Sequence, residues 1–261
     1  MANLWNLIIV DPMLNGLIAL SSLLPKAVEF GLAIIILTIV VRLILTPLTL
    51  RQLKSTKAMQ SMQPKMQELQ KKYAKNKQKL QQEMMKVYKE AGVNPIGCMW
   101  PMLVQFPIWI ALYQSIMRAL ATTPENLLDL SRHLYSWQIV SEALPLNSHF
   151  LGLDLGQSGG EQIGGLVLAI LVGGTMWVQQ KMTTAPSADP RQQSTSGMML
   201  LMMPFMFGIF CLMFPSGLPL FWLASTVIGI ATQYFVTGGW GYLRPSPKAQ
   251  SAPKRKSKRA L

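Results

Sequence analysis

The chain of 261 residues is half hydrophobic, only 13% charged, and carries a net charge of +13. Soluble domains carry about 25% charged residues, and long apolar runs separate the basic segments, which excludes a free soluble nucleic-acid binder. Residues 51–90 hold eleven basic and three acidic residues, and residues 244–259 hold seven basic and none acidic.

The first predicted element, within residues 1–26, is short. Asp11-Pro12 reads as a helix cap followed by proline at the first helical position. Met13, Leu14, Leu17, Ile18 and Leu24 follow at roughly helical spacing. At under about 20 Å this piece cannot cross a hydrocarbon core of about 30 Å. It is expected to lie in the interface as an amphipathic helix.

Five spans of bilayer length follow, at residues 27–49, 98–117, 163–182, 198–214 and 218–236. Residues 50–97 form a long basic connection, 118–162 a second long connection, 183–197 a shorter one and 237–261 a basic tail. The basic blocks put residues 50–97 and 237–261 in the cytoplasm and the N-terminus outside. The 118–161 segment, with two basic and five acidic residues, agrees with an outer position. Cys98 and Cys211 lie in apolar context without ligand spacing and read as packing residues.

The 50–97 connection has helical order. Met59, Met62, Met66, Leu69 and Tyr73 follow a 3-4-3-4 spacing, and Leu80, Met84, Val87 and Ala91 repeat it after Lys75-Asn76-Lys77. Two such arms folded together make a helical hairpin, with Pro64 kinking or restarting the first arm.

Arg42 carries the functional argument. It lies nine residues before Arg51, about 13 Å along a helix. An arginine side chain shortens that gap without closing it. A charge near the bilayer centre costs about 2.5–3.5 kcal/mol on insertion scales, and the one acidic residue within a predicted span, Glu29, lies thirteen residues before Arg42 on the same helix, too far to pair with it. Water in a cavity, a lipid phosphate or a client carboxylate must then meet it. Thr38 and Thr46 lie one turn to either side, Gln105 sits between Pro101 and Pro107, and Gln179 and Gln180 end the third span. Trp222, Thr226, Gly229 and Gln233 form a stripe in the fifth. Together these polar positions predict a shared groove, although each alone is an ordinary interhelical contact.

Gly164-Gly165 and Gly173-Gly174 read as close helix packing. Met198, Met199, Met202, Met203 and Met206 in span four suit either gap-filling or a surface for varied apolar clients. Nothing resembles a nucleophile elbow, a phosphate loop, a carboxylate pair or a ligand set, so neither an enzyme nor a cofactor is expected. A channel or transporter would also keep an intramembrane charge, but such proteins often show paired repeats, and none is clear here.

The stretches Val41–Leu48, Met62-Gln63-Pro64-Lys65, Val93-Asn94-Pro95 and Gln105-Phe106-Pro107 occur in order along the chain. They are followed by Leu151–Leu155, Gln180-Lys181-Met182 and Pro215–Leu218 leading to Phe221-Trp222. In these stretches, over about residues 5–236, the chain resembles the YidC-type membrane protein insertases, the family of the mitochondrial and chloroplast insertases. The resemblance implies an all-α polytopic fold with five spans, an interfacial N-terminal helix and a cytoplasmic hairpin. It implies a client groove at Arg42, Thr38, Gln105, Gln180 and Trp222, with no cofactor. It implies client capture by the hairpin positions Met59, Met62, Met66, Leu69, Tyr73, Leu80 and Met84. Nascent membrane proteins are the implied clients. The ribosome is implied at the tail through Lys254, Arg255, Lys256, Lys258 and Arg259, where rRNA phosphate or anionic lipid would attract such a run. Whether the Sec translocon is a partner is left open. The expected form is the one without the large extracytoplasmic domain of some bacterial members, and the long 118–162 connection has no assigned role.

Overall fold

The computed structural model describes residues 2–74, 76–90, 100–120, 123–184 and 190–243. The protein is an all-α polytopic membrane protein. Among the described residues four helices are long and apolar enough to cross a membrane: Glu29–Ala58, Ile163–Thr183, Ser194–Met213 and Gly217–Val236. A fifth helix, α6 (Trp100–Ala119), has 20 residues and packs in the same bundle. The start predicted for that span at Cys98 lies outside the described residues, as do Val93-Asn94-Pro95 and the basic tail.

At the N-terminus α1 (Ala2–Trp5) passes through a π-helical turn, Asn6–Val10, into α2 (Asp11–Ser22). The predicted cap at Asp11 is not made. Asp11 has helical dihedrals and its N–H reaches back to Asn6 O, so the helix runs on. The widened turn falls immediately before Pro12, which cannot donate to its own turn. Val10, Leu14, Leu17 and Ile18 are fully buried on one side, against α3 and α6, while Leu4, Leu7 and Ile8 stay exposed.

Helix α3 (Glu29–Ser61) is 33 residues long, about 50 Å, and runs unbroken through Pro47 and past the boundary expected at residue 49. A single turn at Met62 separates it from α4 (Gln63–Lys72), which starts with Pro64 in its first turn, where a missing N–H costs nothing. α5 (Lys77–Glu90) folds back on α4. Met62 and Met66 are 7% and 6% exposed, and Leu69, Tyr73, Leu80 and Met84 are half-buried. Met62, Met66, Leu69, Tyr73, Leu80 and Met84 therefore line the seam of the hairpin, because the same spacing on both arms pairs the two apolar faces; the side chain of Met59 lies outside the described residues. Met85, 50% exposed, is left outside that seam. Met66→Asp would place an unpaired charge in the seam; limited proteolysis should cut this variant within residues 62–90 at protease levels that leave the parent intact.

Helices α9 (Ile163–Thr183) and α10 (Pro190–Met213) pack on each other, and α11 (Gly217–Thr237) lies against both α3 and α9. α10 begins eight residues before the span expected at 198. Its first two turns are Gln-, Ser- and Thr-rich, so hydropathy reads them as a loop although the backbone is helical. Met198, Met199, Met202, Met203 and Met206 of α10 are 39–63% exposed, so they lie on its outward face and do not fill gaps in the core.

The 118–162 connection has a structural task. It holds α7 (Pro124–His133), α8 (Gln138–Glu142) and a two-stranded hairpin, β1 (His149–Phe150) with β2 (Leu153–Asp154), closed through Leu151 and Gly152 at positive φ. Ser216 N donates to Gln157 O at 2.9 Å and Gly217 N to Leu155 O at 3.0 Å. Gln162 Nε2 donates to Ser216 Oγ at 2.9 Å. Asn147 N donates to the buried Glu29 carboxylate at 2.8 Å, which Lys26 also approaches at 3.3 Å. The connection thus clamps the α10–α11 turn and the start of α3 at one end of the bundle, here called the loop end; the α4–α5 hairpin marks the other.

Candidate intramembrane site

α3 and α11 both leave the loop end and run side by side toward the hairpin end. A Cβ on Gly217 would sit 3.5 Å from Ile34 Cδ1, which sets their register. Eight residues further along each helix come Arg42 and Ser225. Arg42 Nε donates to Ser225 Oγ at 2.8 Å, and Nη2 donates to the same oxygen. A guanidinium has five N–H donors, so most of its capacity is left over. Among the described residues no carboxylate lies within ion-pair distance of Arg42.

Ser225 is the partner that the sequence stripe missed. It is 5% exposed, and its neighbour Thr226 is likewise buried. A serine in a span is too common to stand out by composition. It could have been found only from the equal spacing of Arg42 and Ser225 along two helices of known register. Thr46 Oγ1 donates to Arg42 O at 2.8 Å, and Thr38 Oγ1 donates to Ile34 O at 2.6 Å. Thr38 is 1% exposed, so it lines the α3–α11 contact from inside and offers no open surface.

One turn below Ser225, Gly229 leaves room for the Gln179 amide of α9; a Cβ there would overlap Gln179 Nε2. Gln233, one turn further, is buried. Gln180, the residue singled out in sequence, points the other way and donates to Met199 O of α10 at 3.4 Å. Successive helical residues differ by about 100° around the axis, and α9 turns Gln179, not Gln180, toward α11. Gln105 is half-buried on α6, four residues before Trp109.

Trp222 belongs to an aromatic layer. It stacks on Trp109, with ring centroids 5.9 Å apart and planes 18° apart, and meets Phe207 and Phe214 edge-on. Three residues before Ser225, it sits about 4.5 Å nearer the loop end. The layer therefore joins α6, α10 and α11 slightly nearer the loop end than Ser225, while polar residues continue along α11 toward the hairpin end.

The family model described as 60Kd inner membrane protein matches residues 22–240, which take in every helix from α3 to α11. The chain belongs to this YidC family. A relative named Membrane protein insertase YidC 2, from Bacillus anthracis, is 36% identical over 239 residues, covering 90% of this chain and 82% of that protein. Membrane protein insertase YidC of Oceanobacillus iheyensis is 37% identical over 232 residues, covering 86% and 80%. The Histophilus somni protein of the same name is 37% identical over 235 residues, and there the chain spans 38% of the relative's length. Membership agrees with a multi-pass protein of bacterial inner-membrane type. In this YidC family member α1 and most of α2 precede the matched region.

Proposed function

We propose that the chain is a membrane protein insertase and chaperone that receives polar client segments beside Arg42 and releases hydrophobic helices into lipid. The observation that carries this is the Arg42–Ser225 contact. A guanidinium is held within an apolar bundle by one neutral hydroxyl, with donors to spare and no carboxylate among the described residues. A charge so placed is stabilised when an anionic or strongly polar group comes to it. Thr46, Gln179 beside Gly229, and Gln233 supply polar partners for such a group between Arg42 and the hairpin end, and the stacked Trp109 and Trp222 lie on the loop-end side. In this reading all five long helices span, the hairpin and tail face the cytoplasm, and the loop end faces outward. The client's apolar helix then leaves sideways, driven by its own burial in lipid.

The direct test is reconstitution. Purified protein in phospholipid vesicles, supplied with a nascent single-span client, should protect that client's translocated segment from added protease. Vesicles without the protein should not.

The basic tail is assigned to the ribosome through Lys254, Arg255, Lys256, Lys258 and Arg259. Deleting residues 248–261 should reduce co-sedimentation with ribosomes most at low salt, where attraction to rRNA phosphate is strongest. Unchanged co-sedimentation would remove the tail from the mechanism.

A further inference from the structure

A second feature lies on the far side of α9. Between α9 and α10 runs an apolar cleft of about 390 Å³, floored by Gly174 and walled by Ile170, Trp177, Phe205 and Ile209. These walls are themselves open to the surroundings: Ile170 is 68% exposed and Phe205 70%. A Cβ built on Gly174 would meet nothing within 4 Å, so the cleft is open space.

The cleft leads to polar positions at its hairpin end. The α9 residues lining it recur at three- and four-residue intervals, and the next positions in that series after Trp177 are Gln180 and Lys181. Gln180 Nε2 spans the mouth to Met199 O of α10. Lys181 is the cation of the last turn of α9, one turn beyond Trp177 on the same face, at the hairpin end of the apolar stretch. On α10 the exposed Ser194 stands on the same line toward the hairpin end. An apolar trough in one leaflet, ending in an ammonium, an amide and a hydroxyl at headgroup depth, has the chemistry of a phosphodiester joined to an alkyl chain.

We infer that this cleft is a phospholipid site, with one acyl chain lying over Gly174 between α9 and α10 and the phosphate held at Lys181. The lipid fills the trough that the glycine leaves, and it is distinct from the Arg42 seam, which lies on the α11 side of α9. The inference stands independently of the insertase reading.

The test uses the full chain in vesicles of phosphatidylethanolamine and phosphatidylglycerol, with a trace of phosphatidylglycerol bearing a diazirine in its acyl chain. After irradiation, peptide mapping should find labelling at the cleft about tenfold above that at Leu43 and Ile44, which are equally exposed on α3. Gly174→Trp, which fills the trough, should bring the cleft down to the α3 level. Lys181→Gln should reduce by about tenfold the phospholipid that stays bound through detergent extraction, read by native mass spectrometry. Even labelling of all lipid-facing helices, labelling unchanged by Gly174→Trp, or retention unchanged by Lys181→Gln would overturn the site. So would displacement of the label by a nascent client helix, which would make the cleft a helix-docking face.

Discussion

Arg42→Ala is expected to lower insertion of clients with acidic translocated segments by about tenfold to a hundredfold. That is the range lost with one charge-assisted hydrogen bond of about 1.5–3 kcal/mol. Clients whose translocated segments carry no acidic group should be far less affected, because they do not call on the guanidinium. The variant should fold, since deleting the charge also deletes its cost in the bilayer; Ser225 is left to bond its own helix, as Thr38 and Thr46 do elsewhere. Arg42→Lys keeps the charge but loses the planar fork that lets Nε and Nη2 share one oxygen, and a milder defect of a few-fold follows. Initial insertion rates into vesicles for a pair of clients differing only in acidic residues would measure this. Wild-type rates for both variants would contradict the role given to Arg42.

Gly165→Val is expected to cost the most stability of any single substitution considered. The start of α9 rests on the short turn Gly159–Glu161, and a Cβ at Gly165 would overlap the backbone of Gly159. Gly159 is itself pressed on Cys211 O of α10, so a Cβ there meets another carbonyl. The obstructing atoms are backbone, fixed by the bonds from Gly159 N to Phe214 O and from Gly165 N to Gln162 O, and cannot swing aside. Overpacking of a close-packed contact costs about 1–3 kcal/mol, and a backbone clash belongs at or above the upper end. Gly174→Ala is the control: it meets no atom and should change stability by less than about 1 kcal/mol. Thermal unfolding of the two variants in one detergent would separate them.

The contrast between those two glycines shows where sequence reading stopped. Both pairs, Gly164-Gly165 and Gly173-Gly174, look alike as small residues in a span, and both suggest close packing. Only the placement of the Gly159 turn distinguishes a glycine pinned against backbone from one facing open space. Arg42 was legible because a lone charge in an apolar run has few innocent explanations. Its partner was not, because Ser225 differs from Thr226 or Gly229 only by rotation about α11. Which neighbours Gln179 and Gln180 meet turns on the same kind of rotation, about α9. At the short Pro215-Ser216 turn the helix ends fall close to the ends of the apolar stretches, whereas at the start of α10 a polar helix continues beyond the apolar stretch. The hairpin's heptad spacing was readable as order, and in the fold Met62 and Met66 of that pattern are buried where the two arms meet. The role of the 118–162 connection was invisible in sequence because it rests on backbone bonds, Ser216 to Gln157 and Gly217 to Leu155, that no residue type announces.

The account stands or falls on whether the seam below Arg42 is wet and is where a client goes. Thr46 lies one turn from Arg42 toward the hairpin end and is half-buried. A cysteine placed there, in a chain with Cys98 and Cys211 replaced, can be challenged with a membrane-impermeant thiol reagent added from the hairpin side. The account predicts ready labelling in the resting protein and protection when a ribosome-stalled client with an acidic translocated segment is engaged. A site that resists the reagent in the resting state, or one that labels equally with and without the stalled client, would contradict it.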